Sequence, residues 1–206
     1  QKPEVKSIVI TGTNGKSTTC KILERVLKFN KTAVKTCGNI GSPILNINIK
    51  NKNFIIIEAS SFQLAYSKYV KPNYAMILNI SNDHLDWHGS KKNYLNSKLK
   101  IFSNQDNKDH AFLSEQKYVK LFRKKNFLGS LKFVKTNSFS KLKKDIKNKY
   151  LLSKPNEKNL LFVYSLIKFL KIKNNIFLKA INSFEGLSHR YEIFYNKKNV
   201  TFINDF

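Results

Sequence analysis

The feature that most constrains this chain is a short apolar run joined by a glycine-containing turn to an amphipathic segment. Residues 7–11 (SIVIT) are mostly apolar and β-branched, and apolar residues recur at helical spacing over 22–27. The turn between them is Gly12-Thr13-Asn14-Gly15-Lys16-Ser17-Thr18. Strand, loop and helix in this order are typical of the first unit of a parallel α/β sheet.

The turn has the composition of a phosphate-binding loop. Backbone N–H groups at a helix start attract anions, Lys16 would reach the β- and γ-phosphates of a nucleotide, and Ser17 would offer its hydroxyl to Mg²⁺. The loop is a short variant, because the first glycine of the common pattern falls on Ile10. A structural glycine turn is the alternative, but the flanking strand and helix favour phosphate binding.

The rest of the chain continues the alternation of strands and helices. Apolar runs predict three further strands, at 54–57, 74–80 and 110–113. Helical patterns follow at 94–102, 159–170 and 176–184. We therefore expect an α/β fold of the phosphate-loop type, with a mostly parallel sheet and helices on both faces.

The pattern changes near Gly186, where a hairpin over 191–195 and 200–203 is predicted. This change predicts a domain boundary, with one domain over 1–186 and the start of a second, truncated one over 187–206. Gln1 is not an initiator methionine, so we expect the chain to be part of a longer protein.

Two polar clusters follow predicted strands, at the edge where doubly wound sheets bind ligands. Glu58 ends the strand at 54–57, either as a Mg²⁺ ligand or as an exposed carboxylate. His84 lies in the sequence Asp83-His84-Leu85-Asp86 after the strand at 74–80, and its position favours a ligand over a structural histidine. Periodicity alone predicts that Lys98 is a surface lysine.

Charge and cysteine content limit the classes of function. The net charge is +25, yet only three of the 38 basic residues are arginine. The basic stretches at 118–135 and 141–149 accompany no nucleic-acid-binding motif, so a solvated face is favoured over a nucleic-acid-binding module. Without a membrane-length apolar run or signal-like start, the chain is expected to be soluble and cytoplasmic, with Cys20 and Cys37 as buried or idle thiols.

Taken together, these motifs resemble the Mur ligase family, whose members activate a carboxylate with ATP and couple it to an amine. The short form of the loop at 12–18 also occurs in folylpolyglutamate synthetases, so a ligase of that kind is the alternative enzyme function. Two segments, 38–41 (GNIG) and 58–64 (EASSFQL), are more similar to the family member that adds D-glutamate to UDP-N-acetylmuramoyl-L-alanine. The resemblance continues through 79–89, 94–98, Asn156, Asn159, 186–190 and 203–205.

The resemblance implies an ATP-binding central domain over 1–186, the beginning of a C-terminal α/β ligase domain over 187–206, and an N-terminal UDP-binding domain that is absent here. It also implies a role for each matching residue. Lys16 and Ser17 would hold phosphates and one Mg²⁺, with Glu58 as a further ligand. His84 would lie at a second Mg²⁺, together with Lys98 as a carbamate. The substrate would contact Asn39, Ser60, Ser61 and Gln63. Of the nucleotide, the adenine would lie near Asn159, and the phosphates and ribose near Arg190 and Asp205.

The chain departs from the family pattern at two positions. Pro155 stands where histidine is frequent, and Phe206 follows Asp205 where the family continues with Ser-Lys. The implied activity is an ATP-dependent ligation through an acyl phosphate in peptidoglycan synthesis. We expect a monomer that uses ATP, two Mg²⁺ ions, UDP-N-acetylmuramoyl-L-alanine and D-glutamate, with no nucleic-acid or membrane partner.

Overall fold

The computed structural model describes residues 4–135, 139–187, 192–197 and 200–204. Its main sheet has six strands: β1 (Lys6–Thr11), β2 (Val34–Gly38), β3 (Phe54–Glu58), β4 (Tyr74–Ile77), β5 (His110–Leu113) and β6 (Ser130–Phe133). Their order is β2-β3-β1-β4-β5-β6, and every neighbouring pair is parallel. A separate antiparallel pair consists of β7 (Glu192–Lys197) and β8 (Val200–Asn204).

Eight α-helices lie within the described residues: α1 (Lys16–Phe29), α2 (Ser61–Tyr66), α3 (Leu85–His88), α4 (Lys91–Leu99), α5 (Gln116–Lys124), α6 (Ser140–Lys143), α7 (Lys154–Phe169) and α8 (Asn174–Asn182). Two 3₁₀ turns add Ile44–Asn46 and Lys100–Phe102. None of the helices in these described ranges combines the length and the apolar character needed to cross a membrane.

The sheet is buried on both faces, as its apolar strands require. Along β1, Ile8 and Ile10 pack into one apolar cluster and Val9 into another, because successive side chains of a strand point to opposite faces. The first cluster includes residues of α1, α7 and α8, and the second includes residues of α2, α4 and α5. The predicted α/β fold with a parallel sheet and helices on both faces is thereby confirmed.

The strand order creates a ligand crevice. The chain leaves β1 toward β2 and leaves β4 toward β5, in opposite directions along the sheet. Ligands of doubly wound sheets bind at the carboxyl ends of strands at such a reversal. The loop after β1 and the loop after β4 therefore border one crevice.

Several predicted boundaries shift in the structure. The strand predicted at 74–80 ends at Ile77, and the helix predicted from Asn159 begins at Lys154. Pro155 lies in the first turn of that helix, where its missing N–H is not needed. The edge strands β2 and β6 were not predicted, since polar residues such as Lys35 interrupt their apolar runs. The domain boundary near Gly186 stays a prediction.

We expect Phe112→Ala to lower the free energy of unfolding by about 3–5 kcal/mol. Phe112 is 1% exposed on the central strand β5, so truncation would leave a cavity that the packed sheet cannot fill. Phe133→Ala, on the edge strand β6 where the ring is 38% exposed, is the matched control with an expected cost of about 1 kcal/mol or less. Equal losses for the two variants in chemical denaturation would contradict this placement of the core.

Candidate functional site

The loop at 12–18 joins β1 to α1, as the sequence predicted. Gly15 is the N-cap of α1 and has φ 82°. A Cβ at this position would lie 2.2 Å from Oδ1 of Asn159, which is buried on α7. Both the positive φ and the close approach of Asn159 therefore require glycine. The geometry brings the predicted adenine-side residue Asn159 against the loop.

Asn79, at the end of β4, fixes the outer part of the loop. Its Oδ1 accepts hydrogen bonds from the backbone N–H groups of Thr13 at 3.1 Å and Asn14 at 2.9 Å. Its Nδ2 donates to the carbonyl oxygen of Asn14 at 3.0 Å. No role was assigned to Asn79 from sequence, because it lay within the strand predicted at 74–80, whereas β4 ends at Ile77. It links the two loops that border the crevice.

Two lysine amines converge on one loop carbonyl. Lys16 Nζ donates to the carbonyl oxygens of Gly12 at 3.0 Å and Thr13 at 2.8 Å. Lys98 Nζ, on α4, donates to the same Gly12 oxygen at 2.8 Å. Lys98 is 1% exposed, so its prediction as a surface lysine was wrong. The hydrophobic periodicity of α4 could not indicate that a distant loop covers this position.

Burial determines the protonation of Lys98. Burial, and after it the positive charge of Lys16, lower the pKa of Lys98 from 10.5 to about 7, against an opposing effect of Asp83. The Lys98 amine also lies over the ring of Tyr94, 4.7 Å from its centroid. At neutral pH this lysine is therefore available as an uncharged amine, which an exposed lysine is not.

Glu58 lies at the end of β3 and is 1% exposed, so the alternative of an exposed carboxylate was wrong. Its Oε1 accepts a hydrogen bond from Asn39 Nδ2 at 3.0 Å. Its Oε2 is buried and has no hydrogen-bond partner among the described residues. The backbone of Gly38 packs closely against that of Glu58. Only glycine allows this, because a Cβ at position 38 would lie 2.3 Å from the Glu58 carbonyl oxygen. An unpartnered buried carboxylate oxygen fits a cation ligand.

His84 lies at the mouth of the site. It has the left-handed backbone conformation, with φ 50°, and its ring centroid is 4.8 Å from that of Phe62. Its Nε2 is 3.4 Å from Asp83 Oδ2. Within 4–135, 139–187 and the two described hairpin strands, no three His, Cys, Asp or Glu side chains converge as a metal site. A metal bound here would need further oxygens from a ligand or from other residue types.

Ser60 and Gln63 have a structural task. The Ser60 hydroxyl accepts from the Gln63 backbone N–H at 3.2 Å, and Gln63 Oε1 accepts from the Ser60 N–H at 2.9 Å. This reciprocal pair is a capping box that starts α2. The S-x-x-Q spacing was a readable signal for it. Ser61, by contrast, is buried and contacts His88, a residue to which the sequence assigned no role.

The loop separates two cavities. A large one of about 1330 Å³ is bordered by Asn14, Gly15 and Thr18 on the loop side and by Asn156 and Asn159 on α7. A small one of about 130 Å³ is lined by the predicted Lys16, Asn39, Ser60, Ser61, His84 and Lys98, together with Gly12, Phe62, Asp83 and Tyr94. Arg190 and Asp205 lie outside the described residues. The structure thus brings most predicted residues to the two sides of one loop.

Comparison with known proteins gives one family. The profile of the Mur ligase middle domain matches residues 10–180. UDP-N-acetylmuramoylalanine--D-glutamate ligase of Natranaerobius thermophilus is 34% identical over an alignment of 228 residues, gaps included. This alignment spans 99% of this chain and 49% of that protein. The ligase of the same name from Aquifex aeolicus is 36% identical and is covered to 50%. The chain spans about half the length of the curated relatives it matches.

Solved structures support the fold. MurF ligase from Thermotoga maritima in complex with ADP aligns with a TM-score of 0.72 and 20% identity, over 98% of this chain and 53% of that one. MurC from the same organism aligns with a TM-score of 0.65 and 20% identity, over 98% of this chain and 50% of that one. At this level of identity the similarity concerns the fold alone.

The buried amine gives stability a specific pH dependence. The unfolded chain keeps the Lys98 proton up to about pH 10.5, whereas the folded chain releases it near pH 7. Between these values the unfolded state binds more protons, so this residue makes stability rise with pH. The variant Lys98→Met lacks this gain. Its unfolding free energy minus that of wild type should therefore decrease by about 1.4 kcal/mol for each unit of increasing pH between about pH 7.5 and 9.5.

Chemical denaturation in bicarbonate-free buffer measures this dependence. Lys92→Met, an exposed position on the same helix, is the control and should show a difference from wild type that does not change with pH. A pH-independent difference for Lys98→Met would contradict a buried lysine with a lowered pKa.

Proposed function

The chain belongs to the Mur ligase family, and on that premise we propose that the complete protein uses ATP to join D-glutamate to UDP-N-acetylmuramoyl-L-alanine in peptidoglycan synthesis. The relatives of 34–36% identity named above have this substrate pair in their names. The observation that carries the proposal is the phosphate loop between two cavities, with Lys16 and Lys98 on its acceptor side.

We place the nucleotide in the large cavity. Asn159 and Asn156 offer side-chain amides there, and the loop from Gly12 to Thr18 ends in the N-terminus of α1, which favours phosphate oxygens. The γ-phosphate would then reach Lys16, at the opposite side of the loop. Arg190 and Asp205 stay assigned to phosphates and ribose as a proposal, since they lie outside the described residues.

The acceptor carboxylate would enter the small cavity. Its oxygen attacks the γ-phosphorus, the bond from that phosphorus to the bridging oxygen breaks, and ADP leaves with the electron pair. The amine nitrogen of D-glutamate then attacks the acyl carbon, phosphate departs with the acyl C–O electrons, and the nitrogen loses a proton to give the amide. Lys16 supplies positive charge where the phosphoryl oxygens gain negative charge.

Glu58 and Ser17 supply oxygen donors that fit one of the two proposed Mg²⁺ sites. Glu58 Oε2 is buried without a partner in the described part of the chain, and Ser17 follows Lys16 as the second residue of α1. His84 and a carbamate on Lys98 would serve the second site, next to the small cavity. When bound, Mg²⁺ would neutralise negative charge on the phosphate oxygens.

The proposed carbamate on Lys98 has a physical basis in its lowered pKa. An amine attacks the carbon of CO₂ only when unprotonated; a C–N bond forms and one proton is released. The Lys98 amine, with a pKa of about 7, meets this condition at neutral pH. The product places an anion beside the positive charge of Lys16, where a protonated Lys98 would be repelled, and it supplies oxygen ligands for a hard metal.

Removal of the Lys16 amine tests the ligase assignment. In the complete protein, Lys16→Ala should reduce the turnover number, measured as release of ADP and phosphate, by about 100- to 1,000-fold. This is the range found when one group that stabilises transition-state charge is removed. Lys21→Ala, on the same helix with a side chain 39% exposed, is the control and should stay within about 2-fold of wild type. Turnover of Lys16→Ala within a few-fold of wild type would refute the assignment.

The carbamate has a spectroscopic test that does not depend on turnover. The protein equilibrated with ¹³C-bicarbonate should show a carbamate carbon signal in the ¹³C NMR spectrum, absent from Lys98→Ala and present in the exposed-site control Lys92→Ala. Stripping bicarbonate should lower ligase activity, and adding it back should restore it. An active Lys98→Ala enzyme, or a wild-type spectrum without the signal, would contradict the carbamate.

A further inference from the structure

A buried histidine that the proposed mechanism does not use lies beside the small cavity. His88, the last residue of α3, is 6% exposed. Its Nε2 is 3.0 Å from the hydroxyl oxygen of Ser61, and its Nδ1 is 3.4 Å from that of Ser97. The imidazole therefore bridges α2, which begins at the small cavity, and α4, which contains Lys98.

The proton on this imidazole can be assigned from its neighbours. The hydroxyl of Ser97 donates its proton to the carbonyl oxygen of Asn93 at 2.9 Å. A hydroxyl has one proton, so at its contact with His88 the Ser97 oxygen must accept from Nδ1–H. Burial against the rings of Phe62 and Tyr94 lowers the pKa of His88, which favours the neutral ring with a single proton.

This assignment fixes the role of Ser61. With the proton on Nδ1, His88 Nε2 has a lone pair and accepts the hydroxyl proton of Ser61. Ser61 lines the small cavity, so the oxygen it presents there can only accept a hydrogen bond. Ser60 differs, because its hydroxyl is already engaged with Gln63 in the capping box.

We propose that His88 is a positioning residue that holds Ser61 Oγ as a hydrogen-bond acceptor for an N–H group of the acceptor substrate. The identity of that substrate rests on the function proposed above. Its N–H nearest the reacting carboxylate is the alanyl amide, which is separated from the carboxylate by one carbon. A carboxylate placed toward Lys16 and Lys98 would put this amide within the same small cavity as Ser61.

The tautomer can be measured on this chain without substrate. In ¹⁵N–¹H correlation spectra of the four histidine rings, the signals that disappear in His88→Asn belong to His88. We expect them to show the Nδ1–H tautomer of a neutral ring. An Nε2–H tautomer would overturn the proposal, because Ser61 would then accept from His88 and keep its own proton for the cavity.

An ester analogue tests the contact with the substrate. In the complete protein, replacing the alanyl residue by lactate exchanges the amide N–H for an oxygen. We expect wild type to show a KM about 3- to 10-fold lower for the amide than for the ester, the effect of one neutral hydrogen bond. This preference should vanish in Ser61→Ala and in His88→Asn, while the KM for ATP stays unchanged.

Three comparisons separate positioning from simple structural support. His88→Gln, whose Oε1 can accept from Ser61, should regain part of the preference. The double variant Ser61→Ala/His88→Asn should lose no more than either single one, because both act on one contact. His110→Asn, a half-buried histidine at the opposite edge of the sheet, is the control and should keep the preference.

Two kinetic results would overturn the proposal. One is an amide preference that survives in Ser61→Ala. The other is a His88→Asn variant that loses thermal stability while its amide preference stays at the wild-type value. If wild type ligates neither the amide nor the ester acceptor, both the proposed function and the proposed substrate contact are wrong. The measured tautomer then decides separately whether His88 positions Ser61.

Discussion

The six strands of the main sheet run parallel, and this common direction places all their carboxyl ends at one edge. A parallel sheet requires apolar cover on both faces, which the two clusters of helices supply. The loops after β1, β3 and β4 consequently meet. Gly12, Glu58 and Asn79, which are 46 and 21 residues apart in sequence, become neighbours through this single constraint.

At that edge the carbonyl oxygen of Gly12 accepts hydrogen bonds from both Lys16 and Lys98. Two amines at one oxygen repel each other when both are charged, and the buried one gives up its proton most readily. An anion placed between them would remove this cost. The two amines therefore favour the binding of phosphate or carboxylate oxygens. Their proximity lowers the free energy of unfolding of the chain without an anion.

The features predicted correctly from sequence are those encoded locally. The β1–loop–α1 unit depends on a contiguous pattern, and the parallel fold follows from the alternation of such units. Lys98 was misjudged because its burial depends on the loop at Gly12, 86 residues earlier. Ser60 and Gln63 had a local signal, the capping-box spacing, but the family resemblance assigned them to substrate first. His88 had no local signal at all, since its partners lie on two other helices.

Helix α4 contacts both the loop at 12–18 and His88. Tyr94, Ser97 and Lys98 are spaced three and four residues apart, so they share one face of this helix. The Tyr94 hydroxyl is 3.0 Å from Thr13 Oγ1 in the phosphate loop, Lys98 contacts Gly12, and Ser97 contacts His88. All three contacts are therefore made by one helix of nine residues. His88 in turn contacts Ser61, so the packing of one short helix determines where a serine of the small cavity lies.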